Sequence, residues 1–356
     1  MVELTGRERM LRTYRRQEID RIMMVDSAWD GTVRRWKNEG MPEDVDWQDY
    51  FGFDKIVRIG TDNSPRHPYK VLEETDRYKI VTTGWGQTQK QFKELDSTPE
   101  VLDSYYNSSL RWEEAKERML THYEDRIPWN YIKENYPKWK AEGRFMQLLI
   151  WFGFDVTHSH MAGTENVLVG MYEEPEWITD MFDTYLQVSL GLAQKILDAG
   201  YEFDGIFWYD DMGYKNSPFF SPQMYRELLK PYHKKAVDWA HERGMVTELH
   251  SCGFIDPLIP DLVDIGLEML NPLEIKAGMD PNKLKSLYGD KLAFHGGINA
   301  QLWDKPELVK AEMERIIPIM KEGGGYVFAS DHSIPNSVSF ETMKQISELA
   351  HKLGKY

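Results

Sequence analysis

The chain has 356 residues, 28% of them charged, and its acidic side chains outnumber the basic ones to give a formal net charge of −15. This balance argues against nucleic acid or an anionic membrane as a partner, because both would attract a basic face. One cysteine excludes a disulfide framework and no apolar stretch is long enough to cross a bilayer, so we predict a cytoplasmic protein without a secretory signal.

Residues 1–200 show an irregular succession of elements. A short strand is predicted over 21–26, and alternating polarity over 56–92 predicts two or three antiparallel strands or hairpins. Residues 98–143 are rich in charge, Trp and Tyr, which favours a helical insertion. The nearly continuous apolar run at 144–154 is typical of a strand buried on both faces, and a long helix or helix pair follows over 164–199.

The C-terminal half alternates short apolar runs with amphipathic stretches, which is typical of repeated βα units. The predicted strands are 204–211, 246–252, 267–274, 292–298 and 326–332, and the predicted helices are 222–243, 257–265, 281–288, 306–321 and 340–353. We therefore predict one α/β domain over 1–356, a (β/α)₈ TIM barrel with N-terminal additions over about 1–143. A doubly wound open sheet is the alternative, but the chain lacks a glycine-rich dinucleotide turn.

Polar side chains recur where the predicted strands end, which is the face that carries the active site in a (β/α)₈ barrel. They are Asp210, Asp211, His250, Cys252, Asn271, Glu274, His295, Asp331 and His332. This regularity predicts an active site at the carboxyl ends of the strands.

The most specific element is His250-Ser251-Cys252, because residues i and i+2 of a strand point to the same face. Glu274 and His332 end later strands, so imidazole, thiolate, carboxylate and imidazole together form a plausible zinc site. The alternative interpretation is a buried cysteine that acts as a small apolar residue beside a hydrogen-bonded core histidine.

Further candidates surround this motif. Asp210 and Asp211 are neighbouring carboxylates, so they are expected to point to opposite faces. One would face the barrel mouth as an acid, a base or a substrate ligand, and the other would form a cap or an ion pair outside the barrel. The predicted substrate-binding residues are Tyr209, Trp85, Trp151, His158, Asn271 and His295. For the aromatic residues a core role, and for His158 a structural role, are the alternatives.

Three segments of the C-terminal half resemble the uroporphyrinogen decarboxylase superfamily, in its branch of zinc- and corrinoid-dependent methyltransferases. They read ELHSCGFIDPLIPDLVDIGLEMLNPLE, MDPNKLKSLYGDKLAFHGGIN and GGYVFASDHSIPNSVSFE. The resemblance covers about 200–356 well and the N-terminal half loosely. It implies a (β/α)₈ barrel with Zn²⁺ at its mouth and a cobalamin carried by a separate corrinoid protein.

Residue by residue, His250 and Cys252 match the HxC zinc ligands of this branch, and Glu274 falls where the distantly similar cobalamin-independent methionine synthase supplies a glutamate ligand. The place of the last ligand, a cysteine in coenzyme M methyltransferases, is taken by His332 or Asp331. The arginine-bearing segment with which uroporphyrinogen decarboxylases hold propionate groups is replaced by DSAWDGTVRRWKNEG.

The resulting expectation is an O-demethylase component that moves a methyl group from a methoxylated, aromatic small molecule to a corrinoid protein. Zinc would polarise the leaving oxygen. The alternatives are transfer from the corrinoid to a thiol, a decarboxylase-like lyase, and a non-enzymatic binding barrel. The sequence leaves a homodimer open.

Overall fold

The computed structural model describes residues 3–93, 98–121 and 124–356. Within them the strands are β1 (Met23–Met24), β2 (Ile56–Gly60), β3 (Lys70–Glu74), β4 (Tyr78–Thr82), β5 (Gln87–Phe92), β6 (Glu100–Ser104), β7 (Phe145–Leu149), β8 (Gly205–Tyr209), β9 (Val246–His250), β10 (Met269–Asn271), β11 (Ala293–His295) and β12 (Tyr326–Phe328). The α-helices are α1 (Gly6–Tyr14), α2 (Asp30–Asn38), α3 (Trp47–Phe51), α4 (Ser109–Leu120), α5 (Trp129–Ala141), α6 (Thr164–Glu173), α7 (Pro175–Asp198), α8 (Pro222–Met224), α9 (Lys230–His241), α10 (Ile259–Asp264), α11 (Pro281–Tyr288), α12 (Pro306–Lys321) and α13 (Phe340–Leu353).

Eight parallel strands form the main sheet in the order β1-β12-β11-β10-β9-β8-β7-β2, which follows the chain once round a barrel. Helices cover the connections between successive strands, so the predicted TIM barrel is confirmed. The predicted helices over 281–288, 306–321 and 340–353 are confirmed to the residue. Every helix in the described ranges is too short or too polar to span a membrane.

The edge strands β1 and β2 are joined through Asp54, which lies two residues before the start of β2. Its backbone N–H donates to Met24 O at 2.7 Å, and its carboxylate accepts the Met24 N–H at 2.9 Å. The same carboxylate pairs with Arg21 and Arg9 at 2.7 and 3.2 Å. A buried carboxylate with cationic partners therefore links the two edges of the barrel sheet.

The barrel interior is layered because alternate strand residues point inward. An apolar cluster at the amino ends of the strands is covered by Met10 and Tyr14 of α1 and comprises Met23, Phe145, Val246, Met269, Ala293 and Val327. The cluster extends to Val25, which also lines the pocket described below. On β9, the side chains that face the barrel interior are, in chain order, Val246, Glu248 and His250. This progression from apolar to polar side chains directs the functional groups toward the carboxyl ends of the strands.

Two predictions for the N-terminal half were wrong in part. Residues 56–60 form β2, which pairs in parallel with β7, whereas only β3 to β6 form the antiparallel sheet. Residues 100–104 form β6 instead of helix; α4 and α5 follow, and residues 122 and 123 of the predicted helical region lie outside the described residues. The one charged residue of β2, Arg58, concealed the place of this strand in the barrel, because its side chain faces the interior pocket described below.

We expect Asp54→Asn to lower the free energy of unfolding by about 1.5–3 kcal/mol, because it weakens the hydrogen bonds of a buried carboxylate to Arg21, Arg9 and the Met24 N–H, while Arg9 keeps its pair with Asp20 at 2.6 Å. Chemical denaturation measures the change. The matched control is Asp49→Asn, which removes an exposed pair with Lys55 and should cost less than about 1 kcal/mol. Equal losses in the two variants would contradict the role of Asp54.

Candidate metal centre

A pocket of about 390 Å³ opens at the carboxyl ends of the barrel strands. It is lined by residues from or directly after β1, β2, β8, β9, β10, β11 and β12, which are Val25, Asp26, Ser27, Trp29, Arg58, Phe207, Tyr209, Asp211, His250, Cys252, Asn271, Pro272, His295, Ala329, Ser330, His332 and Ser333. The pocket therefore lies on the face that the sequence indicates for the active site.

His250, Cys252 and Asp211 form a group whose ligand atoms all lie within 4.8 Å of one another. Cys252 Sγ lies 3.3 Å from His250 Nε2, and Asp211 Oδ1 lies 3.8 Å from the same nitrogen. Asp211 Oδ1 also accepts the Cys252 backbone N–H at 2.7 Å. The carboxylate after β8 is thus held against the end of β9, so thiol, imidazole and carboxylate converge.

Asn271 orients the His250 ring. Tyr209, His250 and Asn271 are in register across β8, β9 and β10, and the Asn271 Oδ1 lies 2.6 Å from His250 Nδ1. The Asn271 amide nitrogen in turn donates to His295 O at 3.1 Å. Since this places the amide oxygen toward the ring, His250 Nδ1 carries the proton and Nε2 presents its lone pair beside Cys252.

Burial favours the uncharged form of every member of this group. It lowers the pKa of His250 to about 4 and raises the pKa of the Cys252 thiol well above its usual value. Burial, reinforced by the charge of Asp155, raises the pKa of Asp211 to about 7. A divalent cation would compensate the buried charge, so its binding favours loss of the thiol proton.

The donor set fits zinc. Bond lengths of about 2.0–2.3 Å in a tetrahedron place neighbouring ligand atoms about 3.3–3.6 Å apart. The measured separations of 3.3 and 3.8 Å are close to this spacing. Three protein ligands beside an open pocket match catalytic zinc sites, in which the fourth position takes water or substrate.

The structure does not bring Glu274 and His332 into this group. Glu274 accepts the Gly253 backbone N–H at 2.5 Å and pairs with Lys276 at 3.1 Å. His332 lines the pocket and lies against Trp29, with ring centroids 6.3 Å apart. Asp331, the alternative to His332, accepts the backbone N–H groups of residues 300 and 275. Glu274 and His332 stay predictions as zinc ligands.

The adjacent carboxylates Asp210 and Asp211 point to different surroundings. Asp211 lines the pocket, whereas Asp210 is fully buried against His233 Nε2 at 2.7 Å and accepts the Asp155 N–H at 2.6 Å. His233 Nδ1 also contacts the Tyr225 hydroxyl at 2.9 Å. This chain of buried polar groups ties β8 to the helical layer, which leaves Asp211 as the carboxylate at the pocket.

The predicted substrate-binding residues divide into two sets. Tyr209, Asn271 and His295 line the pocket. Trp85 and Trp151 pack against each other with ring centroids 5.3 Å apart, and His158 stacks on Phe154 at 4.3 Å. These last contacts are the core role that the sequence left open; none of the three lines the pocket formed by the described residues.

Sequence reasoning missed Arg58 and Glu248, which lie deeper in the barrel. Arg58 Nε donates to Gln147 Oε1 at 3.0 Å, and its terminal nitrogen lies 3.5 Å from Glu248 Oε2. Although burial alone would raise it, Arg58 and His295 bring the pKa of Glu248 down to about 2. One signal was available, because IVRIG and FMQLL each place a single polar residue, Arg58 and Gln147, in an otherwise apolar strand, and VTELH places Glu248 on the same face as His250.

Comparison with known proteins agrees with this architecture. The uroporphyrinogen decarboxylase (URO-D) family matches residues 156–353, more than half of the chain. The methylcobamide:CoM methyltransferase MtaA of Methanosarcina barkeri is 27% identical over 175 residues, or 47% of this chain and 48% of the relative, so the chain spans about half the length of the curated relative it matches. A solved methyltransferase from Methanosarcina mazei is 20% identical, with a TM-score of 0.66 over 98% of this chain and 99% of that chain, which supports the fold.

We expect the purified protein to bind one zinc ion and, at pH 7, to release one proton from the Cys252 thiol and about half a proton from Asp211, whose pKa is about 7. Cys252→Ser and His250→Ala should abolish tight binding, and Asn271→Ala should weaken it about 10- to 100-fold because the His250 ring loses its orienting partner. Competition with a chromophoric chelator measures the affinity, and a pH indicator in weak buffer measures the proton release.

The matched control is His241→Ala, which removes an exposed histidine paired with Glu268. Glu274→Gln and His332→Gln, compared with Asp211→Asn, identify the remaining ligands. Wild-type zinc affinity in both Cys252→Ser and His250→Ala would refute this metal centre.

Proposed function

The chain belongs to the uroporphyrinogen decarboxylase family, and from this premise we propose that it is a zinc-dependent methyltransferase that works with a corrinoid protein. The observation that carries the proposal is the convergence of His250, Cys252 and Asp211 at an open pocket within the barrel mouth. The methyltransferase name of the Methanosarcina barkeri relative supports the same reaction class.

We propose a methoxylated aromatic molecule as the methyl donor and the cobalt of a partner corrinoid protein as the acceptor. Trp29, Phe207 and Tyr209 line the pocket and offer flat apolar surfaces to an aromatic ring. Tyr209 lies beside the His250 ring, with centroids 4.8 Å apart, so a ring stacked there would hold its ether oxygen near the metal ligands.

Each residue of the group has a distinct task in this reaction. His250, Cys252 and Asp211 would hold the ion, and Asn271 keeps the His250 ring in the ligating orientation. When bound, zinc supplies Lewis-acid polarisation of the leaving oxygen.

A second candidate runs the transfer in the other direction, from the methylated corrinoid to a thiol. It is favoured by the match to a methylcobamide:CoM methyltransferase. In this version the same three ligands would hold a metal that lowers the pKa of the thiol, so that the thiolate is the nucleophile.

We expect zinc-loaded protein to form methylcobalamin from cob(I)alamin and a methoxybenzoate, observed by the change in the corrin spectrum. Cys252→Ser and His250→Ala should lower the rate at least about a hundredfold because the leaving oxygen is no longer polarised. His241→Ala should leave the rate unchanged, since its side chain pairs with Glu268 on the exposed outside.

The thiol direction is tested with methylcobalamin and 2-mercaptoethanesulfonate, and demethylation of the cobalamin would select the second candidate. Release of carbon dioxide from a carboxylate by zinc-free protein, with no methyl transfer in either direction, would replace both candidates with a lyase.

A further inference from the structure

The floor of the pocket carries a guanidinium group that the proposed reaction does not use. Arg58 of β2 lies over the Phe207 ring, with Cζ 3.7 Å from the ring centroid, and both side chains line the pocket. Its Nε donates to Gln147, and one terminal nitrogen lies 3.5 Å from Glu248. Since a guanidinium has five N–H donors, these contacts leave donors for a ligand in the pocket.

The contacts of His295 limit how far Glu248 compensates the charge of Arg58. The Nδ1 of His295 lies 2.8 Å from Glu248 Oε1, and the Nε2 of His295 lies 3.0 Å from the Val25 carbonyl oxygen. Glu248 is therefore held more closely by His295 than by Arg58, which lies 3.5 Å away, so the guanidinium charge is only partly compensated.

The carboxyl groups of the lining do not neutralise this charge by direct pairing. Asp26 accepts hydrogen bonds from the backbone N–H groups of Ser27 and Ser330 and from the Ser330 hydroxyl. Asp211 belongs to the metal group. Arg58 is therefore a partly exposed cation, with 26% of its side chain accessible, at the floor of the pocket. Such a group favours an anionic ligand.

The rings of Phe207 and Tyr209 lie between the Arg58 guanidinium and His250 of the metal group. The rings of Phe207 and Tyr209 lie 4.9 Å apart, and the rings of Tyr209 and His250 lie 4.8 Å apart. A molecule the size of one substituted ring, lying along these side chains, would reach Arg58 with one substituent and the metal ligands with the other.

We propose that Arg58 binds the anionic group, a carboxylate or a sulfonate, of the molecule whose other end meets the metal group. Only one part of this assignment rests on the proposed function, namely that the end of the molecule at the metal group is a methyl donor or a thiol. Arg58 is then the residue that makes the pocket specific for anionic substrates over neutral ones of the same shape.

The test measures binding instead of turnover, with benzoate, benzenesulfonate and neutral benzamide as calorimetric probes of the zinc-loaded protein. At least one anion should bind about 10- to 100-fold more tightly than benzamide. Arg58→Gln should remove this preference, and Arg58→Lys should retain part of it, because lysine keeps the charge but loses the planar donor geometry.

Arg243→Gln is a closely matched control. Arg243 also donates from Nε to a glutamine, Gln194 at 2.9 Å, and lies over an aromatic ring, Trp239 at 4.3 Å, but on the outer helical layer. This variant should bind every probe as the wild type does. The measurements are repeated after zinc is removed with a chelator, because zinc itself attracts anions, and the preference for the anion should persist.

Equal affinity for benzamide and both anions in the wild type would overturn the proposal even if the Arg58 variants fail to fold. A folded Arg58→Gln variant with wild-type preference, or a preference that disappears with the zinc, would also overturn it. Tighter binding of benzoate than of benzenesulfonate would indicate that the natural ligand carries a carboxylate, and the reverse order would indicate a sulfonate. Anion binding through Arg58 without any methyl transfer would refute the proposed function but leave this site intact.

Discussion

Parallel pairing of β8, β9 and β10 is the constraint on which the candidate metal centre depends. Residues in register on adjacent parallel strands point to the same face, so Tyr209, His250 and Asn271 lie side by side at one end of the barrel. The hydrogen bond between Asn271 and His250 then leaves Nε2 available beside Cys252. A shift of one residue between β9 and β10 would turn the Asn271 side chain to the opposite face of the sheet and separate the pair.

The polar layer beneath the centre explains how the barrel accommodates buried charge. Glu248 is fully buried, yet it accepts hydrogen bonds from Tyr14, Gln147 and His295 and lies close to Arg58. Each partner comes from a different part of the chain, so the network also fixes α1 against the strands. The pocket above this network has the Arg58 guanidinium at its floor, and residues at the ends of β8 and β9 supply donor atoms for a metal. These two features distinguish it from an apolar ligand cavity.

Local regularity determined what could be predicted from the sequence. The barrel and the bounds of the last three helices follow from hydrophobic periodicity, and Pro281 and Pro306 mark the first residues of α11 and α12. His250 and Cys252 meet because they are two residues apart at a strand end. Glu274 and His332 lie three or more residues beyond the ends of β10 and β12, where strand alternation no longer sets the direction of a side chain. The contact of Trp85 with Trp151 joins the hairpin of β4 and β5 to the barrel. Because these two residues lie far apart in the chain, no local sequence pattern predicts that they meet.

X-ray absorption spectroscopy of the zinc-loaded protein tests the central claim most directly, because it counts the atoms bound to the ion. We expect one sulfur at about 2.3 Å and the remaining ligands, nitrogen and oxygen, at about 2.0–2.2 Å, with imidazole scattering from His250. A zinc shell without sulfur would show that the ion is not held at Cys252, and it would contradict the convergence on which the assigned chemistry depends.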